Sequence, residues 1–310
     1  MIEFIKNSKE GLINIQNLEK GCWIKVTAPT EEDINYLINE IKVPYQFINY
    51  SCDEDENAKY DKIDNATLLI VDIPHKNTIM SEEPYMTRIL GIVIMEDYVI
   101  TICNYNTKVL EKLVLNYANR INTKKKNEFV LYILLATANK YLECLHKINE
   151  TIEVSERSVR KHMRNEDLIS LYFLQKSLVY FTVGLRSNQI MMQKLLRINL
   201  FDKFPEDREL LEDVIAEINQ AKEMTEIANN ILYQMMETFS YMIANTQNTV
   251  IKILTSVTIL ISIPTLIASI YGMNIPLPLS DIPYSFAIII GSTTILTILI
   301  AYLFAKYKWL

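Results

Sequence analysis

The sequence has few residues that break or cross-link a chain: its 310 residues include six glycines, nine prolines and four cysteines. Glycine and proline are both missing from residues 92–183 and from residues 206–263, and the second gap predicts one very long helix. No two cysteines have the CxxC spacing of a zinc or redox site, so reduced thiols in a cytosolic domain are expected. Neither a nucleophile–base pair nor a phosphate-binding loop is apparent, which argues against an enzyme.

Charge is almost absent from the last sixty residues, although the chain as a whole carries a net charge of −6. Residues 253–271 and 284–304 are two apolar runs without any charged side chain. Each run is long enough to cross a hydrocarbon core of about 30 Å as a helix of roughly 20 residues. The sequence therefore predicts a C-terminal membrane hairpin. The acidic balance predicts no nucleic-acid partner.

Lysines predict how this hairpin is oriented. Lys252 precedes the first run, and Lys306 and Lys308 follow the second, whereas residues 272–283 between the runs carry only one charge, that of Asp281. Positive residues stay on the cytoplasmic side, so both termini are expected inside and the turn outside. The N-terminus lacks the apolar segment of a signal peptide, which predicts a cytoplasmic location for the large N-terminal part of a multi-pass protein of the cell (inner or plasma) membrane.

The remaining pattern predicts an α+β membrane protein. Strand-like alternation or continuous apolar character is found at residues 23–27, 66–73, 89–94 and 98–103, and Thr30 is placed to cap a helix. Helical spacing dominates afterwards. The predicted divisions are a cytoplasmic α/β domain (1–125), a helical region with the long stalk helix (126–250), a first membrane helix (251–271), an external loop (272–283), a second membrane helix (284–305) and a basic cytoplasmic tail (306–310).

Two stripes run along the predicted long helix. One is apolar with alternating spacings of three and four, which predicts a packing seam; it comprises Leu211, Val214, Ile218, Ala221, Thr225, Ala228, Leu232, Met235, Phe239 and Met242. The other recurs every seven residues and is almost entirely polar; it comprises Asp213, Gln220, Ile227, Gln234, Tyr241, Asn248, Thr255, Ser262 and Ser269. A straight helix drifts by about 20° per heptad against such a repeat, so one lasting face predicts supercoiling or several subunits.

Inside the first membrane run, hydroxyl groups follow the same spacing. We call this set the hydroxyl stripe; it comprises Thr255, Thr258, Ser262, Thr265 and Ser269. Small hydroxylated residues also mediate helix packing in membranes, and that alternative stays open. A water-lined pore wall is favoured because the stripe continues to Asn248 at one end and points to Asn274 at the other. Since one hairpin cannot enclose a pore, several copies around an axis are expected.

The sequence Tyr271-Gly272-Met273-Asn274, together with two C-terminal runs, a long preceding helix and the basic tail 306–310, resembles the CorA-type magnesium channels. The resemblance implies a homopentamer with a cytoplasmic αβα funnel, an inner ring of first spans and an outer ring of second spans. It implies that Gly272, Met273 and Asn274 form the selectivity filter, with Gly272 allowing a tight turn.

The resemblance extends to other positions of the first span. Asn248 corresponds to a polar ring at the cytosolic mouth, Leu254 to a hydrophobic constriction, and Thr265 to a pore-lining threonine. The family often has methionine where this chain has Ser262 and glycine where it has Ser269, so the gate is expected to be shorter or shifted. The turn 272–283 also holds fewer acids than is common in the family.

The family also has regulatory magnesium sites between cytoplasmic domains. The resemblance implies that Asp213 on the long helix is one ligand, and Asp72 at the end of a strand is our choice for the other. Bound Mg²⁺ would hold the subunits closed, and its loss would leave carboxylates that repel one another. A narrowed ring of Leu254 would stop conduction by dewetting.

The chemistry of the ion is compatible with these residues. Mg²⁺ prefers oxygen ligands and gives up its water reluctantly, so a pore should hold the hydrated ion through acceptors such as the Asn274 amide oxygen. The predicted function is therefore Mg²⁺ uptake, with Co²⁺ as a further transported ion and the lipid bilayer and other copies of the chain as partners. Two alternatives stay open: a transporter of Co²⁺, Ni²⁺ or Zn²⁺, which Met273 disfavours, and a membrane-anchored cytosolic sensor or scaffold.

Overall fold

The computed structural model describes residues 1–8, 11–77, 83–118, 120–159, 165–275, 277–278, 283–307 and 309. Asp281 and Lys308, two charged residues used in the prediction of membrane orientation, lie outside these ranges. The chain forms two compact units, residues 1–234 and residues 235–310. All four cysteines are free thiols, as the sequence predicted.

Within its described residues the first unit is built on a seven-stranded sheet. Its strands are β1 (Ile2–Ser8), β2 (Gly11–Ile15), β3 (Trp23–Thr27), β4 (Lys59–Ile63), β5 (Ala66–Lys76), β6 (Tyr85–Ile94) and β7 (Val99–Cys103). The spatial order is β2-β1-β3-β7-β6-β5-β4. The β3–β7 pair is parallel and the five other neighbouring pairs are antiparallel.

Helices cover both faces of this sheet. On one face, α1 (Glu31–Asn39) and α2 (Tyr45–Cys52) pack with Ile24 and other strand residues in a continuous buried core. Thr30 caps α1, because its hydroxyl accepts a hydrogen bond from the Asp33 N–H at 3.3 Å while the Asp33 carboxylate accepts one from the Thr30 N–H at 3.1 Å.

The opposite face carries the longer helices. They are α3 (Lys108–Tyr117), α4 (Lys126–Val159) and α5 (Asn165–Arg197). Successive strand residues point to opposite faces, so Trp23 points away from the α1–α2 layer, and its ring lies 5.3 Å from that of Phe129 in α4. Gly184 lets α5 approach the sheet closely, because a Cβ atom there would lie 2.8 Å from Thr87 Cγ2 and 2.9 Å from the Tyr141 hydroxyl. The first unit is therefore an αβα sandwich, as predicted.

The longest helix, α6 (Pro205–Tyr271), contributes residues to both units. Within the first unit it runs antiparallel to α5, since the Asn229 amide donates to the Thr182 hydroxyl at 3.2 Å and the Gln189 amide donates to Asn219 Oδ1 at 2.6 Å. Nine of the ten residues of the predicted apolar seam are buried, namely Leu211, Val214, Ile218, Ala221, Thr225, Ala228, Leu232, Met235 and Phe239.

The second unit contains the rest of α6 and helix α7 (Ser285–Lys306). Three helices of the described chain are long and apolar enough to cross a membrane: α6, α7 and the Asp167–Arg197 part of α5. The apolar windows of α6 and α7 are 6% and 0% buried, whereas that of α5 is 39% buried. Leu171, Leu178 and Phe181 of α5 are completely buried, so a large part of the hydrophobicity of α5 serves the core of the first unit.

Candidate ion pathway

The hydroxyl stripe of α6 is exposed over its whole length. Thr255, Thr258, Ser262, Thr265 and Ser269 are all exposed side chains in the isolated chain. The better covered positions of the same segment are Ser256, Leu260, Ile263, Pro264 and Ile267. At about 100° per residue, the centres of these two sets lie roughly 160° apart around the helix. The stripe therefore occupies the side of α6 that the rest of the second unit leaves uncovered.

Three hydroxyls of the stripe have their protons engaged within the helix. Thr258 donates to the Leu254 carbonyl at 2.8 Å, Ser262 donates to the Thr258 carbonyl at 2.7 Å, and Thr265 donates to the Ile261 carbonyl at 2.8 Å. A hydroxyl oxygen that has donated its proton keeps its lone pairs as acceptors. The water shell of a hydrated cation presents hydrogen atoms outward, so this face offers the type of hydrogen-bonding group that such an ion needs.

The Gly272–Asn274 segment directly follows α6. The Gly272 N–H donates to the Ala268 carbonyl at 2.9 Å, and the Met273 N–H donates to the Ile270 carbonyl at 3.2 Å, so the backbone continues the last turn of the helix. The Tyr271 hydroxyl donates to the Pro278 carbonyl at 3.4 Å and ties the helix to the loop. Met273 and Asn274 are exposed.

Gly272 does not have a backbone conformation that requires glycine. The left-handed glycines of the described chain are Gly11 and Gly21, and Gly272 does not adopt a positive φ. A Cβ atom at Gly272 would lie 3.3 Å from the Ala268 carbonyl oxygen, which is the carbonyl four residues back in the same helix. Among the described residues of this region, Tyr284 has a positive φ of 77°, immediately before α7.

At the other end of the first span, Asn248 and Leu254 are also uncovered by the chain itself. Leu254 is 66% exposed, and Asn248, which lies six residues earlier in the helix, is also exposed. Both lie within about 60° of the centre of the hydroxyl stripe on a helical projection. The chain thus presents four kinds of group one after another: the amide of Asn248, the apolar side chain of Leu254, the hydroxyls of the stripe and the amide of Asn274.

Asp213 lies on an exposed part of α6 within the first unit. It lines a groove of about 790 Å³ between the beginnings of α4 and α6, together with Lys125, Glu128 and Asp207. Asp207 is buried, and burial together with the negative charge of Glu128 raises the pKa of its carboxyl group. Asp213 is accessible from outside the chain, as a ligand shared with another copy requires.

Asp72 occupies a different environment from the predicted one. The sequence placed it at the end of a strand, but β5 continues to Lys76, so this expectation was wrong. Asp72 is 7% exposed, and burial raises the pKa of its carboxyl group to about 7, against the effect of hydrogen bonds from the Ala58 backbone and from Ser187. Its predicted role as a metal ligand stays a prediction, and its burial weighs against that role.

The backbone of Asp72 is held by a residue that the sequence did not single out. The Asp72 N–H donates to Asn188 Oδ1 at 2.9 Å, and Asn188 Nδ2 donates to the Asp72 carbonyl at 2.8 Å. Strand β4 pairs with β5 only as far as Ile70, so Asn188 takes the place of a strand at this edge. Within the described ranges, no group of three or more His, Cys, Asp or Glu side chains is arranged to hold a metal ion.

The whole arrangement matches a known family. A family model described as CorA-like Mg2+ transporter protein matches residues 19–306, which include the sheet from β3 onward and both apolar helices of the second unit. The chain belongs to this family. Proteins of the family are membrane transporters, so the resemblance noted in the sequence is confirmed.

The chain is similar to individual relatives over all or nearly all of its length. The cobalt/magnesium transport protein CorA of Methanocaldococcus jannaschii is 27% identical over 322 residues, which cover 100% of both chains. The magnesium transport protein CorA of Campylobacter jejuni is 24% identical, with 93% of this chain and 91% of the relative covered. The complete structure of the CorA magnesium transporter from M. jannaschii has a TM-score of 0.86 at 24% identity and covers 100% of this chain and 99% of its own. The predicted fold class is therefore confirmed.

Proposed function

We propose that this protein is a channel for Mg²⁺ uptake across the cell membrane. The observation that carries the proposal is the hydroxyl stripe, which is uncovered in the isolated chain and leads along α6 to Asn274. An uncovered polar face on an otherwise apolar membrane helix is costly next to lipid, and it is satisfied when copies of the helix surround water. Family membership supports Mg²⁺ as the transported ion.

The proposed assembly is a homopentamer in which α6 forms the inner ring and α7 the outer ring. The number five comes from the resemblance to the family. The flanking Lys252 and Lys306 support an orientation with both termini in the cytoplasm and the loop 272–283 outside. In this arrangement residues 1–125 and 126–250 form the cytoplasmic funnel, residues 251–271 and 284–305 span the membrane, and residues 306–310 form the cytoplasmic tail.

The proposed pathway handles Mg²⁺ with its water shell retained. Five Asn274 amide oxygens at the outer entrance accept hydrogen bonds from the shell without adding a fixed charge that would trap the ion. The hydroxyl oxygens then act as successive acceptors along the wall. At the inner end lies a ring of Leu254 side chains. When this ring is narrow, the pore at that level loses its water and the ion cannot pass.

Closing is proposed to depend on cytoplasmic Mg²⁺. The accessible carboxylate of Asp213 supports a shared site in which Mg²⁺ from the cytoplasm joins neighbouring subunits and keeps the ring narrow. Loss of the ion then leaves carboxylates that repel one another. Asp72, which is buried beneath α4 and α5, has less support as the second ligand than an accessible acid of the same unit.

Cobalt is the second proposed ion. The M. jannaschii relative is named as a cobalt/magnesium transport protein, and hydrated Co²⁺ presents the same outward hydrogen atoms to the pore. Transport of Ni²⁺ or Zn²⁺ in place of Mg²⁺, and a tethered cytosolic scaffold without transport, have no comparable support. A scaffold has no use for the uncovered hydroxyl stripe.

The test is cation flux into vesicles that contain the full-length protein and a trapped Mg²⁺ indicator. Asn274→Ala is expected to reduce Mg²⁺ influx at least tenfold, because it removes the amide acceptor at the entrance. Asn245→Ala is the matched control, since it removes an exposed amide of α6 about 120° away from the hydroxyl stripe. Equal influx through the wild type and Asn274→Ala would refute the proposed filter, and no influx through the wild type would refute the proposed function. A panel of Mg²⁺, Co²⁺, Ni²⁺ and Zn²⁺ tests the ion preference.

A further inference from the structure

Ser256 differs from the other hydroxyl residues around it. It is 0% exposed, although Thr255 and Val257 on either side of it are exposed. Hydroxyls along the same segment donate to a carbonyl four residues back in their own helix; those observed are Thr246, Thr249, Thr258, Ser262 and Thr265. The Ser256 hydroxyl instead donates to the Trp309 carbonyl at 3.4 Å. Ser256 therefore joins α6 to the C-terminal tail.

The tail is folded so that it can receive this hydrogen bond. The Trp309 N–H donates to the Phe304 carbonyl at 2.8 Å, which closes a turn at the end of α7. The Trp309 ring stacks on the Phe304 ring at 5.9 Å with an angle of 19° between the planes. These two contacts fix the direction of the Trp309 carbonyl. We call Ser256, Phe304 and Trp309 together the tail brace.

The tail brace lies at the level of the proposed constriction. Ser256 follows Leu254 by two residues, which places it about 3 Å further along the axis and about 200° around the helix. The two side chains thus lie on opposite sides of the same turn of α6. In the proposed assembly, where Leu254 points to the axis, the tail brace contacts the back of the turn that carries the constriction.

We propose that Ser256 and Trp309 are positioning residues for the Leu254 constriction, because they hold the outer side of α6 at its level. This inference rests on the proposed function, in which α6 surrounds the pore. With the tail brace in place, outward movement of α6 at the constriction is limited, and the ring of Leu254 closes when cytoplasmic Mg²⁺ is bound. Without it, the ring closes less completely at the same Mg²⁺ concentration.

The first test compares Mg²⁺ flux at high and low concentrations of Mg²⁺ on the cytoplasmic side in vesicles. Ser256→Ala and Trp309→Ala are each expected to raise the residual flux at high Mg²⁺ about threefold or more and to raise the Mg²⁺ concentration needed for half-closure. Trp309→Phe keeps a ring for Phe304 and is expected to close like the wild type. The double variant is expected to leak no more than the larger single variant, because both changes break one contact. Ser292→Ala, which removes a hydroxyl that donates to Ile289 within α7, is the matched control.

A second measurement follows the contact without using flux. Trp309 is 44% exposed and Trp23 is 0% exposed, so acrylamide quenches mainly the fluorescence of Trp309. Ser256→Ala is expected to increase this quenching, whereas Ser292→Ala is not. Wild-type closure in both Ser256→Ala and Trp309→Ala would overturn the inference while leaving the proposed function intact. A wild type that conducts no Mg²⁺ would refute the proposed function, and unchanged quenching in Ser256→Ala would show that the hydrogen bond does not hold the tail.

Discussion

The two parts of helix α6 differ in how far the rest of the chain covers their apolar residues. In residues 205–234, the apolar seam is buried within the first unit, and the opposite side is largely charged. In residues 235–271, most apolar side chains are exposed, including Leu254, Ile261 and Leu266. The apolar seam of the first part is therefore covered within one chain, whereas the apolar side chains of the second part are left uncovered by the chain, and in the proposed assembly they contact hydrocarbon and other copies.

One regular helix is thus adapted to two environments. In the first part, polar groups that are withdrawn from water find partners inside the chain, as Asn229 and Asn219 do with residues of α5. In the uncharged run 253–271 of the second part, the hydroxyls of the stripe are exposed and have no partner elsewhere in the chain among the hydrogen bonds observed for Thr258, Ser262 and Thr265. Changes to buried residues of the first unit should therefore act on stability, and changes to exposed residues of α6 that the proposed function uses should act on transport or its regulation.

The largest effect expected in the first unit comes from the buried carboxyl group of Asp72. Its pKa is raised from 3.8 to about 7. Between these two pH values, the folded state therefore keeps a proton that the unfolded state has lost. The contribution of this group to the free energy of unfolding is complete below pH 4 and is lost as pH rises through about 7. At 1.36 kcal/mol per pKa unit, the loss is at most about 4 kcal/mol. The thermal midpoint of the detergent-solubilised protein should therefore fall between pH 5 and pH 8.

Asp72→Asn is expected to remove this fall, because asparagine does not titrate. Glu223→Gln, which changes an exposed carboxylate of α6, should keep the wild-type pH dependence. An unchanged pH dependence in Asp72→Asn would mean that Asp72 in the folded protein is ionised throughout this pH range, so that its pKa is not raised to about 7. In that case the buried interior of the first unit is less closed than its side-chain exposure indicates.

Asn188→Leu should destabilise the first unit by about 2–4 kcal/mol, because it leaves a buried N–H and a buried carbonyl of Asp72 without their amide partner. The measurement is the thermal or denaturant midpoint of the full-length protein. Gln189→Leu breaks one half-buried contact to Asn219 and should cost less. Equal losses in both variants would argue that the edge of β5 does not depend on Asn188.

Asp213→Lys should raise the cytoplasmic Mg²⁺ concentration needed to close the channel about tenfold or more, because the variant replaces a proposed ligand by a positive charge. This corresponds to about 1.4 kcal/mol in binding free energy. Glu223→Lys makes the same change of charge about 80° away around α6 and should leave closing unchanged. Closing in Asp213→Lys at the wild-type Mg²⁺ concentration would remove Asp213 from the regulatory site.

The smallest expected effect is that of one hydroxyl in the stripe. Thr258→Val keeps the shape of the side chain but removes an acceptor from the pathway, so Mg²⁺ influx should fall a few-fold. Val257→Thr adds a hydroxyl about 100° away from Thr258 and should leave influx unchanged. If the two variants behaved alike, the stripe would be a packing feature rather than a pore wall.

The predictability of the fold varied with the strength of the local signal. Strand β3, the Thr30 cap and the uninterrupted α6 were predicted because alternation, capping chemistry and the absence of glycine and proline all act locally. Strands β1, β2 and β4 and helix α2 were not predicted. Strand β5 was predicted to end before Pro74, yet it pairs with β6 as far as Lys76, because β4 has already ended and the missing N–H of proline has no partner to lose on that side.

The candidate pathway shows the same limit. The hydroxyl stripe and the Gly272–Asn274 segment were found from spacing and sequence alone. Ser256 and Asn188 were missed, because each has a partner far away in the sequence, at Trp309 and Asp72. A signal for Ser256 was present, since it is a hydroxyl in the uncharged run that lies outside the register of the stripe.

Composition and periodicity by themselves identified α6 and α7, two of the three helices of the described chain that are long and apolar enough to cross a membrane, and the hydroxylated face of α6. This was possible because hydrophobic length and helical spacing depend only on neighbouring residues. Tertiary structure decided which faces are covered, and that the Gly272 backbone continues a helix rather than forming a left-handed turn. It also decided that Asp72 is buried under an amide from α5. These outcomes depend on contacts between residues that are distant in the sequence, and no local pattern specifies such contacts.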